Sequence, residues 1–193
     1  MIFKAITILE MATFYACYFS KMIAQKKKGI RTDQMGKGKK GFVKLIEITL
    51  KVVSFTVPVV ELLSIFLCNP TMPMIIQWCG AVVGALGVVV FIISVVTMKD
   101  SWRAGVSEKE KTDLVTNGIY QISRNPAFLG FDLMYIGILL MAFNWVLFGV
   151  SVFAIVMFHL QIVNVEEDFL VVTFGEDYLA YRDKVRRYIG RKR

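Results

Sequence analysis

Apolar residues fill four long runs of the chain, at positions 5–23, 45–67, 74–97 and 128–163. None carries the polar stripe that recurs every three to four positions on a helix packed at a soluble surface. Each of the first three is about as long as a helix must be to cross a ~30 Å hydrocarbon core at 1.5 Å per residue. The fourth is too long for one crossing, and Phe143-Asn144-Trp145 divides it into 127–143 and 145–163. The pattern predicts an all-α integral membrane protein with about five transmembrane helices, the last two a tight hairpin. Glu10 and Lys21 interrupt or bound the first run and no Ala-x-Ala-like site follows it, so it reads as a span rather than a signal peptide.

Between the runs the polar positions fall into blocks. Residues 26–41 are a basic Gly/Lys stretch that reads as a mobile linker, leaving the first two helices loosely joined to the rest. Gly80, Gly84 and Gly87 lack a preceding strand and the spacing of a nucleotide loop, and read as small residues for close helix contact. Asn125-Pro126 reads as the N-cap and first position of the fourth helix, whose free amides offer a seat for a carboxylate. Glu166, Glu167 and Asp168 follow directly on the last span. They fit either a capping box opened by Asn164 and closed by Glu167, or a carboxylate that receives a ligand hydroxyl or amine. After Gly175, the residues Tyr178, Tyr181, Val185 and Tyr188 fall on one face of a C-terminal amphipathic helix, and Arg182, Lys184, Arg186 and Arg187 suit anionic headgroups. The chain thus divides into 1–44, a first span with its basic loop; 45–97, the second and third spans; and 98–193, which holds two polar segments around the hairpin.

Charge sets the orientation. The 24–44 connection holds eight Lys and Arg against Asp33 alone, and the 98–127 connection adds Lys99, Arg103, Lys109, Lys111 and Arg124, whereas the 68–73 turn and Asn144 carry none. By the positive-inside rule the N-terminus is outside and the C-terminus and both polar segments are cytoplasmic. The net charge of +8 sits where membrane lipids with anionic headgroups attract it, and no nucleic-acid motif accompanies it. Cys17, Cys68 and Cys79 are odd in number and lack metal spacing, so no metal site is assigned. The single histidine, His159, lies mid-span and reads as a hydrogen-bonded packing residue. Glu47 and Lys51, four apart, read as a pair, although with Glu61 they also suggest an ion path.

Two runs resemble a known family. Thr112-Asp113-Leu114-Val115-Thr116-Asn117-Gly118-Ile119-Tyr120, followed by Arg124-Asn125-Pro126-Ala127-Phe128-Leu129-Gly130, resembles a signature of the isoprenylcysteine carboxyl methyltransferase family. Glu166-Glu167 through Phe174-Gly175-Glu176-Asp177-Tyr178 to Tyr181 and Val185-Arg186-Arg187 is similar to its second signature. The resemblance implies S-adenosylmethionine as methyl donor and a lipophilic acceptor from the bilayer, with methyl ester formation on an isoprenylcysteine-type carboxylate. It carries cofactor contacts onto Thr112, Asp113, Leu114, Val115, Tyr120, Asn125, Pro126, Ala127, Phe128, Glu166 and Glu167. Tyr120 and Phe128 supply aromatic faces that attract a sulfonium cation. Methyl transfer to an acceptor that is already anionic needs alignment more than acid–base help, so no catalytic dyad is expected. The chain departs from the pattern in reading Arg-Asn-Pro for Arg-His-Pro, and in having no arginine just upstream of Glu166, where eukaryotic members place one. Arg124 or Arg103 would have to engage an acceptor carboxylate instead. The alternatives are an integral-membrane reductase using a nicotinamide cofactor, which would want more clustered arginines, and a non-enzymatic scaffold or small transporter.

Overall fold

A computed structural model describes residues 1–69, 71–106 and 112–192, and within them the chain is helical, with only two isolated β-bridges. The helices are α1 (Ile2–Lys27), α2 (Gly41–Leu67), α3 (Met74–Met98), α4 (Pro126–Met141), α5 (Trp145–Gln161) and α6 (Glu167–Lys184). Four stretches, Ile2–Lys27, Gly41–Leu67, Met74–Ser101 and Trp145–Lys184, are long and apolar enough to cross a membrane, and the predicted fifth span is the shorter apolar helix Pro126–Met141. Outward-facing Leu63, Phe66, Val82, Val89, Val152, Phe153 and Val156 are exposed, as side chains meeting acyl chains must be.

The bundle is organised by α3 and α4. A Cβ built on Gly137 would stand 2.5 Å from the Gly84 Cα, one on Gly80 2.7 Å from the Gly137 oxygen, and one on Gly87 2.8 Å from the Gly130 oxygen. The three α3 glycines therefore do what their spacing predicts: Gly80 and Gly87 admit the α4 backbone, while Gly84 takes both that backbone and the Glu10 carboxylate of α1. Helix α1 lies along α3, and α2 along α5. Aromatic rings fill the junction, with Phe14 stacked on Phe91 at 4.1 Å and Phe131 edge-on to both. Asn144 marks the turn between α4 and α5 as predicted, and its side chain caps α5 by accepting the Leu147 amide at 2.9 Å.

Five sequence expectations are corrected. The basic stretch is tied down rather than loosely linked: the Gln34 amide donates to Ala104, the Ala104 amide to Thr32, and the Gln25 side chain to the Trp102 carbonyl. Glu47 and Lys51 do not pair with each other, because Glu47 accepts the Gly36 amide and Lys51 reaches Asp33, so both anchor that stretch. No capping box divides α5 from α6. The helix runs on through a π-turn, Ile162–Glu166, and Asn164 donates to the Leu160 carbonyl instead of capping. His159 is hydrogen-bonded as expected, with Nδ1 2.6 Å from the Tyr188 hydroxyl, but it is exposed in the last turn of α5 rather than packed mid-span. Val185 and Tyr188 leave the helical face predicted for them, since α6 ends at Lys184 and Val185 is extended. Gly175 does punctuate α6, at φ 51°, a conformation that favours glycine. Lys109 and Lys111, which entered the charge count, lie outside the described residues.

Candidate functional site

Past α3 the chain makes a short turn, Lys99–Ser101, and later a second, Gly118–Gln121, which delivers it to the start of α4. Between these, Asp113 donates its amide to the Ser101 hydroxyl at 3.1 Å. Residues 97–101 and 113–117 line a cavity of about 470 Å³, with Asp113, Leu114 and Val115 on one wall and Met98 on the other. Thr112 adjoins that wall. Leu114 and Val115 also pack on a cluster of Tyr120, Tyr178, Tyr181 and Val185. Tyr120 is only 4% exposed; its hydroxyl donates to the Met98 sulfur, and Tyr181 donates to the Tyr120 carbonyl at 2.6 Å. Burial, with the neighbouring Tyr181 and Glu166, pushes the Tyr120 phenol above its ordinary range, so it is a neutral donor.

The helix α4 begins at Pro126 after Asn125, the positions the sequence indicates, but the Asn125 side chain does not cap it. Its Nδ2 instead donates to the Arg187 carbonyl at 3.2 Å. The amides of Ala127 and Phe128 at the first turn thus receive no side-chain cap. Phe128 leans against Phe158 of α5 at 5.4 Å. A strap of residues 185–191 crosses this helix start: Arg124 donates its amide to Arg186, Gly190 to Ile122, and Arg191 reaches Gln121.

Under the strap lies an ionic knot. Arg187 holds Glu167 through two bonds, Nε to Oε1 at 2.8 Å and a terminal nitrogen to Oε2 at 3.0 Å, while Arg124 meets Oε1 at 3.0 Å. Arg124 also donates to the Tyr178 hydroxyl at 2.7 Å. Burial alone would raise the Glu167 carboxyl, but the Arg187 bond and the charges of Arg124 and Arg187 outweigh it and hold the group below its ordinary range. Glu166, its neighbour, faces elsewhere: Oε1 accepts from Gln161 at 3.3 Å, and the carboxylate lies within electrostatic reach of Tyr120, Glu47 and Lys39. The two acids, indistinguishable in sequence, stand in opposite situations.

Of the sequence-predicted residues, the structure gathers Asn125 and Glu167 around Arg124 and Arg187, and Leu114 and Val115 around Tyr120. Sequence reasoning missed Arg187 as more than a surface cation, and Tyr178 as a partner of Arg124; both fall within the second motif, which was the available signal. Arg124 is engaged by Glu167 and Tyr178 through its terminal nitrogens, and its buried Nε has no partner.

Residues 75–177 match the family model for phospholipid methyltransferases, which takes in α3 to α6 and the start of the ionic knot. The chain belongs to the phospholipid methyltransferase family. Among curated proteins it is similar to protein-S-isoprenylcysteine O-methyltransferases, at 32% identity over 108 residues with that of Saccharomyces cerevisiae and 31% over 113 residues with that of Dictyostelium discoideum. A third, protein-S-isoprenylcysteine O-methyltransferase A of Arabidopsis thaliana, is 35% identical over 82 residues. These alignments cover 55%, 56% and 42% of this chain, and the chain spans only 45%, 46% and 41% of the relatives. In this member of the phospholipid methyltransferase family, both polar segments converge on the first turn of α4.

Proposed function

We propose that the protein transfers a methyl group from S-adenosylmethionine, held at the polar end of the bundle, to a lipophilic acceptor that reaches α4 from the bilayer. The observation that carries this reading is the convergence of the two motif segments: Arg124 and Asn125 of one are bonded to Glu167 and Arg187 of the other at a helix start without a side-chain cap.

The residues suit the donor. The amides of Ala127 and Phe128, with fixed φ at Pro126 before them, would seat its carboxylate. Glu166, with one long bond and no arginine on it, is the acid free to take a ribose hydroxyl or the amino group, whereas Glu167 orders the site by fastening the strap to α4. Asp113, Leu114 and Val115, with Thr112 before them, would wall the adenosine; Tyr120, packed with Leu114 and Val115, and Phe128 at the start of α4 would offer it ring faces. When bound, the donor supplies an electrophilic methyl on a good leaving group. The protein's share is then alignment and exclusion of water at the mouth of the bundle. The relatives' names indicate an isoprenylcysteine-type carboxylate as acceptor. The Lys and Arg count of the 24–44 and 98–127 connections supports a cytoplasmic position for this end, with the N-terminus outside.

The test is methyl transfer from radiolabelled S-adenosylmethionine in proteoliposomes supplied with a farnesylated cysteine derivative. Label should enter the lipid extract and leave as methanol on alkaline hydrolysis, the behaviour of a methyl ester. Absence of transfer to that acceptor and to the liposome lipids overturns the proposal; alkali-stable label keeps the transferase and rejects the carboxylate.

A further inference from the structure

At eight positions where the described backbone turns to positive φ the chain uses glycine, and Lys99 is the one other residue to do so, at φ 49° and ψ −129°. It follows α3 directly and sends its amide to the Val95 carbonyl, a place where helices commonly take glycine because a Cβ crowds the neighbouring backbone. A side chain kept there is strained. Strain of this kind gathers at ligand sites, where the surroundings hold it.

No contact within the fold accounts for a lysine at this position. Lys99 is exposed, and among the described residues its ammonium has no partner. Asp100, its neighbour, is held instead by Lys28 at 2.7 Å and Lys21 at 3.9 Å. What Lys99 does line is the cavity of about 470 Å³ beyond α3, and it is the one basic residue among the described residues lining it. Asp113, Leu114 and Val115 line the same space.

We infer that Lys99 binds the adenine base of the methyl donor, its ammonium donating to a ring nitrogen while Leu114 and Val115 cover the ring face. The inference rests on the reading that this cavity takes the adenosine. Adenine offers ring nitrogens that accept hydrogen bonds and carries no charge of its own to repel a cation. In that reading the donor's carboxylate sits at the first turn of α4, which leaves the base for Lys99. The sulfonium would repel an ammonium, so the base rather than the reacting methyl is the part that Lys99 approaches. The strain at Lys99 follows from presenting a cation to the cavity directly at the end of a helix.

The experiment compares the full chain with Lys99→Gly and Lys99→Ala in detergent, by thermal unfolding and by binding of two ligands. These are the donor's demethylated product and 5′-methylthioadenosine, which has the base but no carboxylate. Lys99→Gly releases the strain and should unfold about 2 to 4 °C higher, while binding both ligands about tenfold more weakly. Lys99→Ala keeps the strain, so it should lose the same affinity without the rise in Tm. Undiminished affinity in both variants, or a lower Tm in Lys99→Gly, overturns the inference. A loss confined to the demethylated product places the ammonium on the carboxylate and overturns it too. No binding of either ligand to the unsubstituted chain would sink the donor site as a whole, and the inference with it.

Discussion

The α3–α4 seam and the polar end of the same two helices are held by opposite means. Along the seam, glycine removes side chains until backbones touch, and cohesion comes from dispersion over closely matched surfaces. At the polar end, Glu167, Arg124, Arg187 and Tyr178 are long side chains whose bonds reach across residues 124 to 187. Backbone packed on backbone tolerates no added atom and itself holds no proton, although Glu10 of α1 lies against Gly84 on its flank. A charge network tolerates isosteric change poorly and responds to protons. The first kind of contact fixes where α4 stands, and the second fixes what surrounds its first turn.

The largest expected effect comes from adding atoms to the seam. Gly137→Leu would drive a side chain into the Gly84 backbone, which has nowhere to shift, and should cost about 3 kcal/mol or more, the upper range for overpacking. Loss of the folded, monodisperse species in size-exclusion chromatography would confirm it, and a normally unfolding variant would mean that the helices do not approach so closely.

A smaller loss is expected at the knot. Glu167→Gln leaves Arg124, whose side chain is 6% exposed, without its carboxylate, and should cost about 2 to 3 kcal/mol; Arg187, a third exposed, is more easily rehydrated. The Glu167 carboxyl lies below its ordinary value of 4.5 in the fold, so its stabilisation is present in full above that value and is lost as pH falls through the lower folded one. Unfolding followed from pH 6 downward should show this acid loss in the unsubstituted protein and a flatter profile in Glu167→Gln; parallel profiles would show that another group governs it. The smallest effect belongs to Gly149→Ala on α5, where an added Cβ meets nothing within 4 Å; the change should be neutral or stabilise by up to about 1 kcal/mol.

This contrast also explains what was legible in the sequence. Spans, the Asn144 turn and the α3 glycines were readable because hydrophobic length and small-residue spacing are local signals. The α4 start at Asn125-Pro126 was readable for the same reason, but not the fate of the Asn125 amide, which is decided by Arg187 sixty-two residues away. Glu47 and Lys51 satisfied the helical pairing rule and still chose Gly36 and Asp33, because a loop folded back onto them offered an amide and a carboxylate. Likewise Asn164 and Glu167 matched a capping box by spacing, while the helix ran on through a π-turn and Glu167 was claimed by two arginines. Position in the chain named the acidic pair, and only tertiary contacts separate Glu166 from Glu167.

The central claim is that the convergent polar end holds the methyl donor. Titration calorimetry of the detergent-purified chain with S-adenosylmethionine and with its demethylated product tests it most directly. Saturable binding of both at one site per chain is expected, weakened by roughly 1 to 3 kcal/mol in Glu166→Ala and in Tyr120→Ala, the scale of an unmet buried partner. Absence of binding at millimolar ligand, or undiminished affinity in both variants, would contradict it.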